Sequence, residues 1–163
     1  MVEEVHVRDC VFNSTENDAK IKTWEGGSGY VRGIHFENIT IFYAYNPIII
    51  NQGYCNDQKR RCKCLTRSVI ADGVVGSEVS NATYRKVRGT SGNEPLIALR
   101  CTGGRGCVNT MMGHINVDSS EPRKRSYADC KDVIDASFSS VGPPVFLPHF
   151  VELTIIANEV DQK

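Results

Sequence analysis

The chain repeats short β-prone segments at a nearly constant spacing, and this repetition constrains its fold more than any other feature. Four segments open with valine and continue as an alternating run: VEEVHVRDCVF from Val2, VRGIHFENITI from Val31, VSNATYRKVRG from Val79 and VNTMMGHINVD from Val108. Their starts are separated by 29, 48 and 29 residues. Units of 20 to 50 residues that recur in this way indicate a solenoid, in which each unit buries its apolar face against the next.

A second series of apolar segments falls between the first four. It consists of AKIKTW around Ile21, PIIINQ around Ile49 and PLIALRC around Ile97, with centres 28 and 48 residues apart. Two independent series with nearly the same spacing predict an all-β fold, a parallel β-helix of stacked strands. A β-sandwich is the alternative, because short strands between turns fit it too. Alternation predicts these inward-facing residues: Val5, Val7, Ile34, Phe36, Ile48, Ile50, Tyr84 and Ile97.

Composition limits the classes of function. The 163 residues suit one domain, and 19 basic residues balance 19 acidic ones. A neutral chain argues against nucleic-acid binding, which usually needs a basic excess. No run of 18 apolar residues could span a membrane. The start, MVEEVHVRDC, lacks the pattern of a signal peptide.

Cysteines and glycosylation sequons together favour a secreted protein. The chain has seven cysteines, and the disulfide candidates are Cys55, Cys62, Cys64, Cys101 and Cys107. Zinc is the alternative for the first three, but the one-residue gap in CKC is short for a zinc site and no histidine lies near it. Three Asn-x-Ser/Thr sequons make Asn13, Asn38 and Asn81 candidates for glycosylation.

Two lysines and one tyrosine are candidates for ligand binding. Lys20 and Lys22 flank Ile21 on a predicted strand, so they share a face, and that face is exposed if Ile21 points inward. The pair would form a positive spot suited to a carboxylate, although exposed lysines are often only solvated. Tyr54 follows the next strand of the second series, where its ring could stack on a sugar or simply pack over a disulfide.

Three blocks of sequence resemble a known family. AKIKTWEGGSGYVRGIHFENITI, NPIIINQGYC and NATYRKVRGTSG, in this order, are similar to the C-terminal half of plant polygalacturonases, glycoside hydrolase family 28. The resemblance runs from about Val2 to Pro144. It implies a right-handed parallel β-helix, truncated at its N-terminal side, with C-terminal coils over residues 1–144 and a divergent tail over residues 145–163.

The resemblance also implies a substrate and a location. The substrate is polygalacturonate, the backbone of pectin, whose 1,4-α-galacturonosyl bonds the family hydrolyses with inversion and without a cofactor or metal. Lys20-Ile21-Lys22 matches the family's Arg-Ile-Lys triplet, which holds galacturonate carboxylates, and Tyr54 matches its active-site tyrosine. Lys20 replaces arginine and so loses the bidentate fork. The implied location is extracellular, in the plant cell wall.

The family's catalytic blocks are not found in this sequence. Asn-Thr-Asp, Asp-Asp and Gly-His-Gly precede the matched region in the family, and none occurs here; His114, in Gly-His-Ile, is expected to be an ordinary strand residue. Inverting hydrolysis needs two carboxyl groups, and the nearby acids Asp9, Asp18 and Glu25 are not expected to replace them. No catalytic residue is therefore predicted in this chain.

Two functions remain open at this level. The first is a polygalacturonase-type hydrolase whose substrate-binding part lies in this chain; the second is a non-catalytic or vestigial β-helix that binds oligogalacturonate. A calcium-dependent pectate lyase is a more distant alternative, which would need clustered carboxylates. The chain alone is expected to be inactive, and either a monomer of marginal stability or dependent on a missing N-terminal half. Cys130 is expected to lack a partner, and the state of Cys10 is left open.

Overall fold

The computed structural model describes residues 1–24, 27–54, 77–102 and 106–147. Over these ranges the chain forms β-strands and no helix, and hence no helix that could cross a membrane. The strands are β1 (Val2–Asn13), β2 (Asn17–Trp24), β3 (Tyr30–Ala44), β4 (Asn46–Tyr54), β5 (Glu78–Ser91), β6 (Ile97–Arg100), β7 (Cys107–Val108), β8 (Met111–Ser119), β9 (Ala128–Lys131), β10 (Val133–Ile134) and β11 (Ser137–Gly142).

The described strands form two parallel sheets that wind as a solenoid. One sheet has the order β1-β3-β5-β7-β10, and in it β8 pairs with β5 and with β11. The other has the order β2-β4-β6-β9. Every strand pair is parallel, so the chain returns to the same sheet once in each coil. The predicted right-handed parallel β-helix is confirmed, and the antiparallel sandwich is excluded.

The strand register reproduces the sequence repeat with small corrections. Val2 lies opposite Val31, and Val31 lies opposite Val79, as the repeat predicts. Val79 lies opposite Cys107, so the predicted start of the fourth segment at Val108 is wrong by one residue. In the second series Ile21 pairs with Ile50, and Ile48 pairs with Ile97. The predicted centre at Ile49 is therefore wrong by one residue in each pair.

The core lies between the two sheets and follows the alternation of the strands. Six of the predicted inward residues are buried: Ile34, Phe36, Ile48, Ile50, Tyr84 and Ile97. The rings of Phe36 and Tyr84 stack with their centres 5.1 Å apart, because their strands pair in register. Val7 is partly buried against this core. Val5 is 36% exposed, so its assignment to the core is wrong; it lies on β1, the edge strand of its sheet.

The long strands bend at regularly spaced residues with positive φ. Such residues lie five positions apart in the first coil, at Glu4, Asp9 and Ser14, and recur 29 positions later at Gly33, Asn38 and Tyr43. A positive φ is uncommon for residues other than glycine, and Asn and Asp tolerate it best. Side-chain hydrogen bonds link these corners between coils: Asn38 donates to Asp9 over 2.6 Å and Asn109 donates to Asn81 over 2.7 Å.

One of the predicted cysteine pairs is a disulfide in the structure. Cys101 and Cys107, whose Cα atoms are 5.5 Å apart, are bonded to each other across a sequence separation of 6. The other candidates, Cys55, Cys62 and Cys64, lie outside the described residues. Within the described ranges Cys10 and Cys130 are free thiols, and burial raises the pKa of Cys130 to about 11. The sequon residues Asn13, Asn38 and Asn81 are exposed.

Candidate functional site

Lys20, Lys22 and Tyr54 meet on the outer face of the four-stranded sheet, and we call them the β2–β4 cluster. Ile21 is buried between the two lysines, which turns both lysine side chains outward. The Lys22 Nζ atom lies 4.0 Å from the centre of the Tyr54 ring, and the Lys20 Nζ atom lies 5.2 Å from it. Both distances are within the range of a cation–π contact.

A β-bulge places Tyr54 on the same face as the lysines. Lys22 pairs with Asn51 and Trp24 pairs with Tyr54, so β4 uses three residue steps where β2 uses two. Gly53 lies in this irregular stretch, and its N–H donates to the Asn51 side chain over 3.1 Å. In a regular strand Tyr54 would share the inward face with Gln52. The extra residue reverses that facing and directs the ring over the lysines.

Lys20 is partly buried and held by polar neighbours. Its Nζ atom donates to the Asn17 side-chain oxygen over 2.9 Å, and Asn46 on the next coil donates to the same oxygen over 3.2 Å. Desolvation lowers the pKa of Lys20, the nearby charge of Lys22 lowers it further, and Glu16 partly opposes both effects. Two like charges held close together favour an anion that neutralises them.

The outer face of this sheet has a row with two buried apolar residues at its centre, beside a fully polar row. Lys20, Ile49, Ala98 and Asp129 lie in register on successive strands, and Ile49 and Ala98 are buried although they are not part of the main core. The neighbouring row contains Lys22, Asn51, Arg100 and Lys131, and Arg100 forms an ion pair with Asp129 at 3.3 Å. The exposed cations on this face suit a ligand with negative charge.

Gln52 fixes the end of the strand next to the bulge. It is buried, and its amide nitrogen donates to the carbonyl oxygens of Ser77 and Gly106 over 2.9 and 3.3 Å. Its side-chain oxygen accepts from the Thr102 N–H over 2.8 Å. One side chain therefore joins β4 to two later coils beside Tyr54. Reasoning from the sequence missed Gln52, and the signal available was its position two residues after Ile50, at an inward position of the apolar run PIII.

Reasoning from the sequence also did not identify Trp24 as a candidate site residue. It pairs with Tyr54 at the end of the two strands, and 66% of its surface is exposed. A large indole exposed to this extent on a strand end is unusual for a residue that otherwise packs inside proteins. Its place beside the tyrosine offers a second aromatic face for a ligand. The available signal was its position two residues after Lys22 in KIKTW.

Of the acids near the lysines in sequence, Asp18 has an environment that alters its ionisation. It is buried, Thr15 donates a hydrogen bond to one of its oxygens, and the other oxygen has no partner among the described residues. Desolvation raises the pKa of Asp18, and the hydrogen bond from Thr15 partly offsets this. Asp9 instead accepts from Asn38 at a corner of the other sheet, and Glu25 lies outside the described residues. His114 is exposed on β8, as the prediction of a strand residue requires.

The arrangement can bind a carboxylated sugar more readily than it can cleave one. Two ammonium groups can pair with carboxylates, and the ring of Tyr54 offers apolar contact. General acid and base catalysis of glycoside cleavage needs two carboxyl groups across the bond. Among the described residues only Asp18 combines burial with nearness in sequence to the lysines.

Comparison with known proteins identifies what the chain is similar to. The family model of glycosyl hydrolases family 28 matches residues 1–140. A polygalacturonase of Malus domestica is 31% identical over 142 residues, which cover 87% of this chain and 28% of that protein. One of Brassica napus is 32% identical over 81% of this chain and 32% of the relative. One of Persea americana is 34% identical over 80% and 27%. The chain thus spans about a third or less of the length of these curated relatives.

Proposed function

This chain belongs to glycosyl hydrolase family 28, and from that premise we propose that it binds polygalacturonate as the substrate-binding part of a pectin hydrolase. The proposed reaction of the whole enzyme is inverting hydrolysis of 1,4-α-galacturonosyl bonds. The polygalacturonase relatives support the substrate class. We assign substrate binding to Lys20, Lys22 and Tyr54, and no catalytic residue to the 163 residues.

The contact of both lysines with one tyrosine ring is the observation that carries this proposal. Lys22 and Lys20 approach the Tyr54 ring at 4.0 and 5.2 Å, so two cations and an aromatic face form one surface. A galacturonate residue has a carboxylate for the cations and a ring face for the aromatic group. Uronic acids in a 1,4-linked chain repeat this pair of features, and two further basic residues, Arg100 and Lys131, lie in the same row of the sheet as Lys22.

A binding experiment tests the proposal. Titration of the chain with oligogalacturonate should give saturable binding, and Lys20→Ala with Lys22→Ala should weaken it at least about tenfold through loss of two charge contacts. Lys86→Asn is a matched control, because Lys86 is exposed on the other sheet and asparagine tolerates its positive φ. Equal affinity of the double variant, or equal binding of a fully methyl-esterified oligomer, would remove the proposed site.

The alternative function is a non-catalytic or vestigial module that binds oligogalacturonate. The absence of the Asn-Thr-Asp, Asp-Asp and Gly-His-Gly blocks from the sequence supports it for this polypeptide. A reducing-end assay on polygalacturonate separates the two functions. New reducing ends from the purified chain would contradict the module and would direct attention to Asp18. No new ends, with intact binding, would support it.

We also propose an extracellular location, in the plant cell wall. The Cys101–Cys107 disulfide supports an oxidising compartment, because disulfides are rare in the cytosol. The exposure of Asn13, Asn38 and Asn81 leaves each sequon open to glycosylation. Expression in a plant secretory pathway followed by glycosidase treatment should lower the apparent mass. Unchanged mass would contradict the glycosylation part of the proposal.

A further inference from the structure

A second group of side chains meets on the seven-stranded sheet, in β1 and β3. His6 lies directly opposite His35 in the parallel register. Their imidazole rings stack with centres 4.6 Å apart and planes only 8° from parallel. This separation is close to the spacing of adjacent strands, so the backbone holds the pair together. The two residues lie on the sheet that does not contain the β2–β4 cluster.

Glu4 is the third member of this group, and the glycine opposite it, Gly33, leaves room for its side chain. Glu4 is a corner residue with φ of 53°, and it lies between the register pairs that place it opposite Gly33. A Cβ atom on residue 33 would clash with the Glu4 carboxylate. The missing side chain at Gly33 therefore leaves room for this carboxylate to lie over the second coil. There it approaches the imidazole of His35 as well as that of His6.

The three side chains offer one carboxylate oxygen and two ring nitrogens, all within 4.8 Å of one another. Zinc prefers imidazole and carboxylate ligands at about 2.0–2.2 Å, which places neighbouring ligand atoms of a tetrahedral site about 3.4 Å apart. To bind one ion the two imidazole rings must also turn out of their parallel stack, because the lone pair of a ring nitrogen lies in the plane of its ring. Glu4 and His6 are exposed and His35 is partly exposed, so such rotations meet little packing.

We propose that Glu4, His6 and His35 bind a divalent transition-metal ion, with zinc as the expected ion and water at the fourth position. The ion would link β1, the edge strand, to β3 on the next coil. Because an ion that binds only the folded state stabilises it, the expected effect is structural: zinc raises the melting temperature of the first coil. The proposal is independent of the pectin-binding surface.

Zinc titration of the full chain, prepared without a polyhistidine tag, tests the proposal. Calorimetry should show one zinc ion per chain, and cobalt substitution should give visible absorption bands from the bound ion. His6→Ala and His35→Ala should each weaken zinc binding at least about tenfold, because each removes one ligand. Glu4→Gln should weaken it too, because an amide is a poorer zinc ligand than a carboxylate.

Two further variants separate metal binding from ring stacking and from non-specific binding. His35→Phe keeps an aromatic ring on His6 but removes the ligand, so it should lose zinc binding while remaining folded. His114→Asn removes an exposed histidine elsewhere and should leave binding unchanged. Undiminished zinc affinity in a His6→Ala, His35→Phe double variant would overturn the proposal. So would the lack of saturable zinc binding below about 1 mM in the unmodified chain.

Discussion

The Lys22 ammonium lies 4.0 Å from the centre of the Tyr54 ring, although the two residues belong to different coils. The bulge in β4 produces this contact, since it turns Tyr54 from the inner to the outer face. The ring therefore orients the lysine before any ligand arrives. The Lys22 side chain is then already partly ordered in the free protein, so ligand binding loses less side-chain entropy.

Replacement of Tyr54 should reveal what the ring contributes to binding. Tyr54→Leu removes the cation–π contact with both lysines and should weaken oligogalacturonate binding by about 1 kcal/mol, roughly fivefold. Tyr54→Phe keeps the ring and serves as the matched control, so its affinity should stay near that of the unmodified chain. Isothermal titration would measure both. A large loss in Tyr54→Phe would show that the hydroxyl, and not the ring, carries the contact.

Replacement of Lys20 by arginine should strengthen binding. Lys20→Arg supplies a planar fork that can hold a carboxylate through two parallel hydrogen bonds. We expect an affinity for oligogalacturonate about three- to tenfold higher, with the largest gain at low ionic strength because the contact is electrostatic. Lys86→Arg, on the other sheet, should change nothing. A weaker Lys20→Arg variant would indicate that the hydrogen bond from Lys20 to Asn17 is needed.

Substitution of Gln52 should lower the stability of the fold. Gln52→Ala removes the partner of the buried Gly106 carbonyl and of two part-buried backbone groups, at Ser77 and Thr102, and a buried group left unpaired costs about 1–3 kcal/mol. Chemical denaturation would measure the loss. Gln52→Glu is a sharper comparison, because it keeps the shape and the acceptor for Thr102 but removes the donor. Equal stability of both variants and the unmodified chain would show that Gln52 is not a structural link.

Asp18 should make the fold less stable at neutral pH than in mild acid. Its pKa in the folded state is raised above 3.8, so the folded state favours the protonated form. The stability that this protonation contributes is complete below pH 3.8 and is lost as pH rises through the folded pKa. Asp18→Asn is not ionised and can still accept from Thr15. At pH values above the folded pKa of Asp18, the melting temperature of this variant should exceed that of the unmodified chain. Below pH 3.8 the two melting temperatures should match.

Thr15→Val provides a second measurement of the same group. The hydrogen bond from Thr15 lowers the pKa of Asp18, so its removal should raise that pKa further. The window over which stability falls with rising pH should then extend to higher pH. A constant difference between Asp18→Asn and the unmodified chain at all pH values would mean that Asp18 stays in one ionisation state throughout.

The sequence predicts this fold well because the repeat and the core describe the same property. Ile34 and Phe36 alternate along one strand, and Phe36 and Tyr84 lie one coil apart, so alternation and period together indicate which residues are buried. Val5 follows the same pattern and is nevertheless exposed, since it lies on the edge strand β1. Periodicity assigns a residue to a face, and the neighbouring strand decides whether that face is covered.

The candidate sites depend on details that periodicity does not contain. Alternation from Ile48 and Ile50 would direct Tyr54 inward, and only Gly53 hints at the bulge that reverses it. Gln52 is buried because three backbone groups from other coils need its amide. His6 and His35 are 29 residues apart, and no local motif joins them. Once the coil register is known, however, a residue's partner across the sheet can be read by counting.

The spacing between the second and third coils has a consequence for how such chains can diversify. Val2 and Val31 are 29 positions apart, Val31 and Val79 are 48 apart, and yet both pairs lie side by side in the same sheet. Segments of different length can therefore join successive strands while the strands on either side keep their register. Such connections can change during evolution, and with them what the molecule recognises, while the stacked strands stay the same.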